Sequence, residues 1–380
     1  MGRRCCEKDP TISKGGSGSG GGGGSTSLNT GNCTVVSNCR PGTLIEEGRI
    51  PCGGCGPGPI VIVPEEVDMD SNGFYYSRIA ELDSILSADP YALNPCDSLT
   101  MINLQTYGGM YQNVASFHPD IAVRYRLDSI RSANGYWVID NFNFQNIEDA
   151  FGATVNCDYF PIQITQFPIN PATNARFTPE EFLEFFRVNI NKFITPPVGV
   201  SFNRSLSSQV NDCNKWNLSG LQAKGALNHI HIPGPIGISN DGTVILSDYT
   251  HINTGNSENH NFMFSTIETP FDNEHPVAGN RQFGVFNNAS NPSQYTFYIM
   301  GVDRIWDIGT AFAHVFVDGC EASDNLWNNV MTNLKENVDS TGASTYYAQS
   351  SCIARASWND VKEYLQKDID FATLKLQLGC

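Results

Sequence analysis

Between about residues 225 and 303 the chain carries four apolar or alternating runs, TVILSDYTHI, NFMFSTIE, RQFGVF and QYTFYIMGV, separated by clusters of Gly, Asn and Pro. Short runs of this kind, bounded by turn formers, fit strands. No helical pattern lies between them, so they favour antiparallel pairing, because a parallel pair needs a long crossover. RQFGVF and QYTFYIMGV flank NNASNPS, so residues 281 to 302 read as a β-hairpin, and ETPFDNEHPVAGN is the connection that enters it.

Two more strand-like runs, IAVRYRLDSI and GYWVIDNFNF, are joined by RSANG and form a hairpin candidate in which Ile121, Val123, Tyr125 and Leu127 alternate with other residues. PIQITQF at 161–167 is a further short strand.

Helices should cover this sheet. In FTPEEFLEFFRVNINKFITPP, Thr178 is placed to cap, Pro179 suits the first helical position, Glu181 completes a capping box, and Phe177 is placed to staple onto Phe182. Phe182, Phe186, Ile190 and Phe193 then form one apolar face. SDNLWNNVMTNLKENV aligns Leu326, Val330, Leu334 and Val338, with Ser323 as candidate cap, and SWNDVKEYLQ offers Ser357 as cap. FYYSRIAELDSILSAD places Ile79, Leu82 and Leu86 at helical spacing. The expected fold class is therefore α+β: a mainly antiparallel sheet from 120–170 and 225–303, with helices at 74–88, 179–194, 323–338 and 357–367 packed on one face or at its ends.

The N-terminal part reads differently. KGGSGSGGGGGSTS, residues 14–27, has no side chains with which to bury anything and reads as the end of a disordered tail spanning 1–27. Residues 28–65 are an irregular Cys/Gly/Pro-rich segment, and the compact domain is expected over 66–380, with a subdomain boundary, if there is one, near 200–225. In a chain of 380 residues that is 40% apolar, this domain has ample material for a core.

A formal charge of −16 without a basic cluster opposes nucleic-acid binding. No apolar run approaches the roughly 20 residues that cross a bilayer, and no signal peptide is visible. Twelve scattered cysteines fit disulfides in an oxidising compartment. For Cys33, Cys39, Cys52 and Cys55, disulfides suit the Gly/Pro-rich surroundings at least as well as zinc ligation.

Two stretches could carry chemistry. Counting register along the hairpin brings Arg281 to the same end as Asp303 and Arg304, with His275 in the entering loop, where Gly279 supplies a positive φ and Pro276 keeps His275 extended. His275, Arg281 and Asp303 are the candidate catalytic residues, set against the plainer reading of a polar network that holds the corner. An arginine fixed beside a histidine could bind a carboxylate, sulfate or phosphate. His229 and His231, in NHIHIPGPIGISNDG, share a strand face and are the candidate metal ligands. In JAB-type metalloproteases a His-x-His pair is followed by Ser and Asp; here Ser239 stands at the family's offset, but Asp241 falls one residue short. Six of the seven histidines lie between 229 and 314. There is no H-E-x-x-H, G-x-S-x-G, Walker loop or dinucleotide fingerprint, and no cofactor is specified.

The series ITQFPINPATNARFTPEEFLEFFRVNINKF, CNKWN, HPVAGNRQFGVF, YTFYIMGVDR, DNLWNNVMTNL and a closing GC resembles uncharacterised C-terminal regions of exported or surface proteins of Bacteroidetes-type bacteria, over about residues 155–380. The resemblance implies an extracellular or cell-surface location and transfers no functional residue. The expected function is a structural or interaction domain on a flexible tether, meeting a protein partner or a cell-surface component. The alternative is a hydrolase or toxin-like effector using the His/Arg/Asp set, with or without a metal.

Overall fold

The chain's central strands are apolar on both alternating sets of side chains. In QYTFYIMGV, Phe297 and Ile299 point one way and Tyr298, Met300 and Val302 the other, and all five are buried. A strand of this kind needs cover on each face. The computed structural model describes residues 96, 98–133, 142–194, 199–204, 212–232, 241–254, 257–288, 291–306, 319–346 and 351–380. The expected tail, the Cys-rich segment, the helix at 74–88, most of GYWVIDNFNF, Ser239 and His314 lie outside them.

The strands are β1 (Asn143–Phe144), β2 (Thr154–Gln166), β3 (Ser201–Asn203), β4 (Leu227–His231), β5 (Gly242–Asn253), β6 (Glu258–Glu268), β7 (Val277–Asn288), β8 (Asn291–Ile305), β9 (Ser344–Tyr346) and β10 (Cys352–Ser357). They form one antiparallel sheet in the order β10-β2-β8-β7-β6-β5-β4-β3, with β1 beside β6 and β9 beside β2. The four runs first singled out are β5 to β8, and β7 pairs with β8 as the expected hairpin. PIQITQF contributes the end of the longer β2. Strands on both sides of residues 200–225 join this single sheet.

The helices are α1 (Ser98–Ala115), α2 (Ile121–Ala133), α3 (Pro179–Val188), the short α4 (Cys213–Trp216), α5 (Gly319–Ser340), α6 (Trp358–Leu365) and α7 (Phe371–Leu378). They cover both faces of the sheet, not one. Phe182 and Phe186 of α3 and Val330 and Leu334 of α5 pack with Phe262, Phe283 and Phe297 on the first face. On the second face Leu104 and Tyr111 of α1 and Val361 and Leu365 of α6 pack with Val155, Tyr159 and Met300. Each of these large apolar side chains contributes about 1.5–3 kcal/mol when fully buried.

α2 replaces an expected strand. Ile121 and Tyr125 are 60% and 65% exposed, whereas Val123, Leu127 and Ile130, at helical spacing, pack on Leu227, Ile245 and Ile267. Asp120 starts the helix, its Oδ1 accepting from the amides of Ala122 and Val123 at 3.0 and 3.1 Å.

The α3 capping box forms as expected, with the Thr178 side chain accepting from the Glu181 amide and the Glu181 carboxylate accepting from the Thr178 amide. Phe177 and Phe182 meet at 5.9 Å between ring centroids. α5 begins at Gly319, so Ser323 lies inside it rather than at its cap. Ser357 does occupy the cap position of α6, but its side chain makes no capping bond. A disulfide joins Cys96 to Cys380, with Cα atoms 5.6 Å apart.

Candidate functional site

Arg281 lies on the first face, in alternation with Phe283 and Val285. Its guanidinium makes a two-pronged contact with Asp158 of β2, at 2.7 and 2.8 Å, and a third bond to Asp303 at 3.1 Å. Trp327 of α5 covers it, with the guanidinium carbon 4.6 Å from the ring centroid. The network continues from Asp158 through Asn156 (3.0 Å) to Arg355 (3.2 Å), and Arg355 pairs with Asp324 at 2.6 Å. Burial raises the Asp303 carboxyl to about 6, Arg281 working against that shift and Asp158 adding to it. The guanidinium is thus occupied from two sides, and Asp158 has no exposed side-chain surface.

The expected pairing of Arg281 with Asp303 is present. His275 and Arg304 are placed elsewhere. The His275 Nδ1 lies 3.0 Å from the Val277 carbonyl and 3.2 Å from its amide, and the His275 amide donates to Gln145. Its imidazole belongs to its own turn, where burial lowers its pKa to about 4. Gly279 does take a positive φ, at 150°. Arg304 faces the second side of the sheet, donating to the carbonyls of Gly152 and Ile147 under Trp358. Asp158, absent from the sequence-based site, is a lone carboxylate in the apolar run VNCDYFPI, the one signal that could have found it.

His229 and His231 share a face of β4, as expected, and each imidazole meets a carboxylate. His229 Nδ1 lies 2.9 Å from Asp272 and His231 Nδ1 lies 2.8 Å from Asp241. The Asp272 hydrogen bond raises the His229 pKa, favouring the imidazolium. Thr243 adds a short hydrogen bond to the same Asp272 carboxylate. Leu227 on that strand packs with α2, so this His/Asp cluster and Arg281 are on opposite faces of the sheet.

A feature the sequence did not suggest lies on the second face. The register of β5 against β6 slips between Leu246 and Asp248. The extra residue, Ser247, is held by Met263 and Ser265, and beyond it the alternation of β5 is inverted. Asp248 and Thr250 therefore come to the second face, opposite Met263 and Asn261. There they line a cleft of about 480 Å³ between the C-terminal part of α1 and the sheet, together with Met110, Phe117, Phe286 and Gln282.

Along its floor runs a chain of side chains across three strands. Tyr298 donates to Gln282 at 2.9 Å, Gln282 to Asn261 at 3.1 Å, and Asn261 to Asn259 at 3.3 Å. Tyr298 reaches this position by lying over Gly284, where a Cβ would come within 2.5 Å of its ring. Each amide nitrogen carries two hydrogens and the chain uses one from Gln282 and one from Asn261. The remaining donors have no partner among the described residues and border the cleft.

No protein-family model matches this chain, and no curated protein matches it. Among solved structures, protein Ms6760 from Mycobacterium smegmatis aligns at 10% identity over 51% of this chain and 95% of its own, with a TM-score of 0.25. Human STARD10 aligns at 8% identity over 58% of this chain and 84% of its own, with a TM-score of 0.26.

Proposed function

We propose that this domain is a non-enzymatic binding module of an exported or surface-associated bacterial protein, and that it takes a neutral, hydroxyl-rich ligand of the saccharide type in the cleft beneath α1. The observation that carries the reading is the Tyr298–Gln282–Asn261–Asn259 chain, which ends in amide groups with donors and acceptors to spare. Aromatic rings with a few fixed polar groups suit a ligand that has both apolar ring faces and hydroxyls. A formal charge of −16 disfavours anionic ligands, and the cleft carboxylate, Asp248, is paired with Lys224 at 3.3 Å.

Export is supported by the Cys96–Cys380 disulfide and by the resemblance of residues 155–380 to exported bacterial C-terminal regions. The glycine-rich composition of residues 14–27 is that of a tether. No helix among the described residues is long and apolar enough to cross a membrane. The engagement of Arg281 by two carboxylates supports a structural role for that network.

Calorimetric titration of the full chain with a panel of neutral oligosaccharides (cello-, xylo-, malto- and chito-oligosaccharides) tests the proposal. At least one should bind, and Gln282→Ala should weaken it about tenfold, the upper range of one lost hydrogen bond. Absence of binding across the panel, or unchanged affinity in the variant, would overturn it.

A further inference from the structure

The register slip that sends Thr250 to the cleft has a counterpart on the other face of the same two strands. It turns His251 toward the first face, directly opposite His260 of β6, with the two ring centroids 4.5 Å apart. Glu180, in the first turn of α3, reaches the same point, its Oε2 3.2 Å from His251 Nδ1. Among the described residues these are the three side chains whose donor atoms all lie within 4.8 Å of one another.

A second, independent feature points into this cluster. His260 is only 2% exposed, and its Nδ1 is buried without a hydrogen-bond partner. An unpaired buried imidazole nitrogen is unfavourable. An ion coordinated through Nδ1 would satisfy it. We propose that Glu180, His251 and His260 form a binding site for a divalent transition-metal ion of the zinc type, separate from the cleft and from the His229/His231 pair.

The chemistry of the donors agrees. Two imidazoles and one carboxylate make a donor set that zinc-type ions take, and three protein donors leave a fourth position for water. Metal ligation requires neutral imidazole, which both histidines can supply near neutral pH. His251 and Glu180 are 45% and 44% exposed, so both have the freedom to close from their present spacing to ligand distance. A bound ion would fasten the first turn of α3 to the β5–β6 ribbon.

The test is a zinc titration of the full chain by calorimetry, after chelator treatment and with accessible thiols blocked by iodoacetamide. The expected result is one equivalent bound, with affinity falling at least tenfold in His251→Ala and His260→Gln and unchanged in His231→Asn. His251 is exposed, so its variant keeps the test valid should His260→Gln misfold, and circular dichroism checks both folds. No stoichiometric zinc in the wild-type chain, or undiminished affinity in His251→Ala, would overturn the site. Loss of binding in His231→Asn alone would move it to the other pair and equally overturn it.

Discussion

The Arg281 network and the cleft beneath α1 occupy opposite faces of the sheet where β7 and β8 run, yet their polar groups differ in what they leave unused. Arg281 is gripped by Asp158 and Asp303 and roofed by Trp327, so little of its bonding capacity is open to anything else. In the cleft, the chain from Tyr298 to Asn259 fixes each side chain in direction but leaves donors at the rim. Polar groups in a sheet hold its shape when they satisfy one another completely. They are available to recognise a ligand when they are oriented and incompletely used.

Arg281→Met probes the first half of this contrast and should have the largest effect. It strands the carboxylate of Asp158, which has no exposed side-chain surface, and should cost about 3–5 kcal/mol in denaturant unfolding. The double variant Arg281→Met/Asp158→Leu should recover part of that loss, because the fully buried carboxylate is removed and only Asp303, 18% exposed, is left without its partner.

The corner beside the network should show itself in pH dependence. His275 has a folded pKa of about 4 against about 6.5 in an unfolded chain. Its contribution to stability is therefore complete above pH 6.5 and is lost as pH falls toward 4, on the order of 3 kcal/mol. Asp303 acts in the opposite sense. Its folded pKa is raised to about 6, so the folded state holds that proton more tightly and stability declines as pH rises from about 4 to 6. In His275→Gln, unfolding measured from pH 4 to 7 should lose its acid-side decline and expose the Asp303 slope.

Two smaller substitutions test the cleft. Gly284→Ala drives a methyl group into the Tyr298 ring and should cost about 1–3 kcal/mol while displacing the start of the amide chain. Gln282→Ala takes the acceptor from the buried Tyr298 hydroxyl and should cost about 1 kcal/mol, with the larger consequence on binding.

How much of this was legible in the sequence follows from the range of the interactions involved. α3 was readable because Thr178, Pro179 and Glu181 act within one turn. β5 to β8 were readable because each is a local run between turn formers. α2 was misread because Val123 and Leu127 belong equally to an alternating pattern and to a helical stripe, and burial beneath the sheet decided between them. The Arg281–Asp303 pair could be counted across one hairpin. Asp158 joins through the β2–β8 pairing, between strands more than a hundred residues apart, and no local pattern encodes that. The slip at Ser247 was hidden for a different reason. A single inserted residue inverts every later side chain, so simple alternation puts Thr250 and His251 on the wrong faces.

Methyl resonances of the seven methionines offer the most direct examination of the cleft as the place of recognition. Met110 and Met263 line it, whereas Met331 lies in the core of the opposite face. Titrating the full chain with the oligosaccharide that binds best should shift the Met110 and Met263 methyls together, leave Met331 in place, and lose those shifts in Gln282→Ala. Binding that moves Met331 and leaves Met110 and Met263 unchanged would contradict the account.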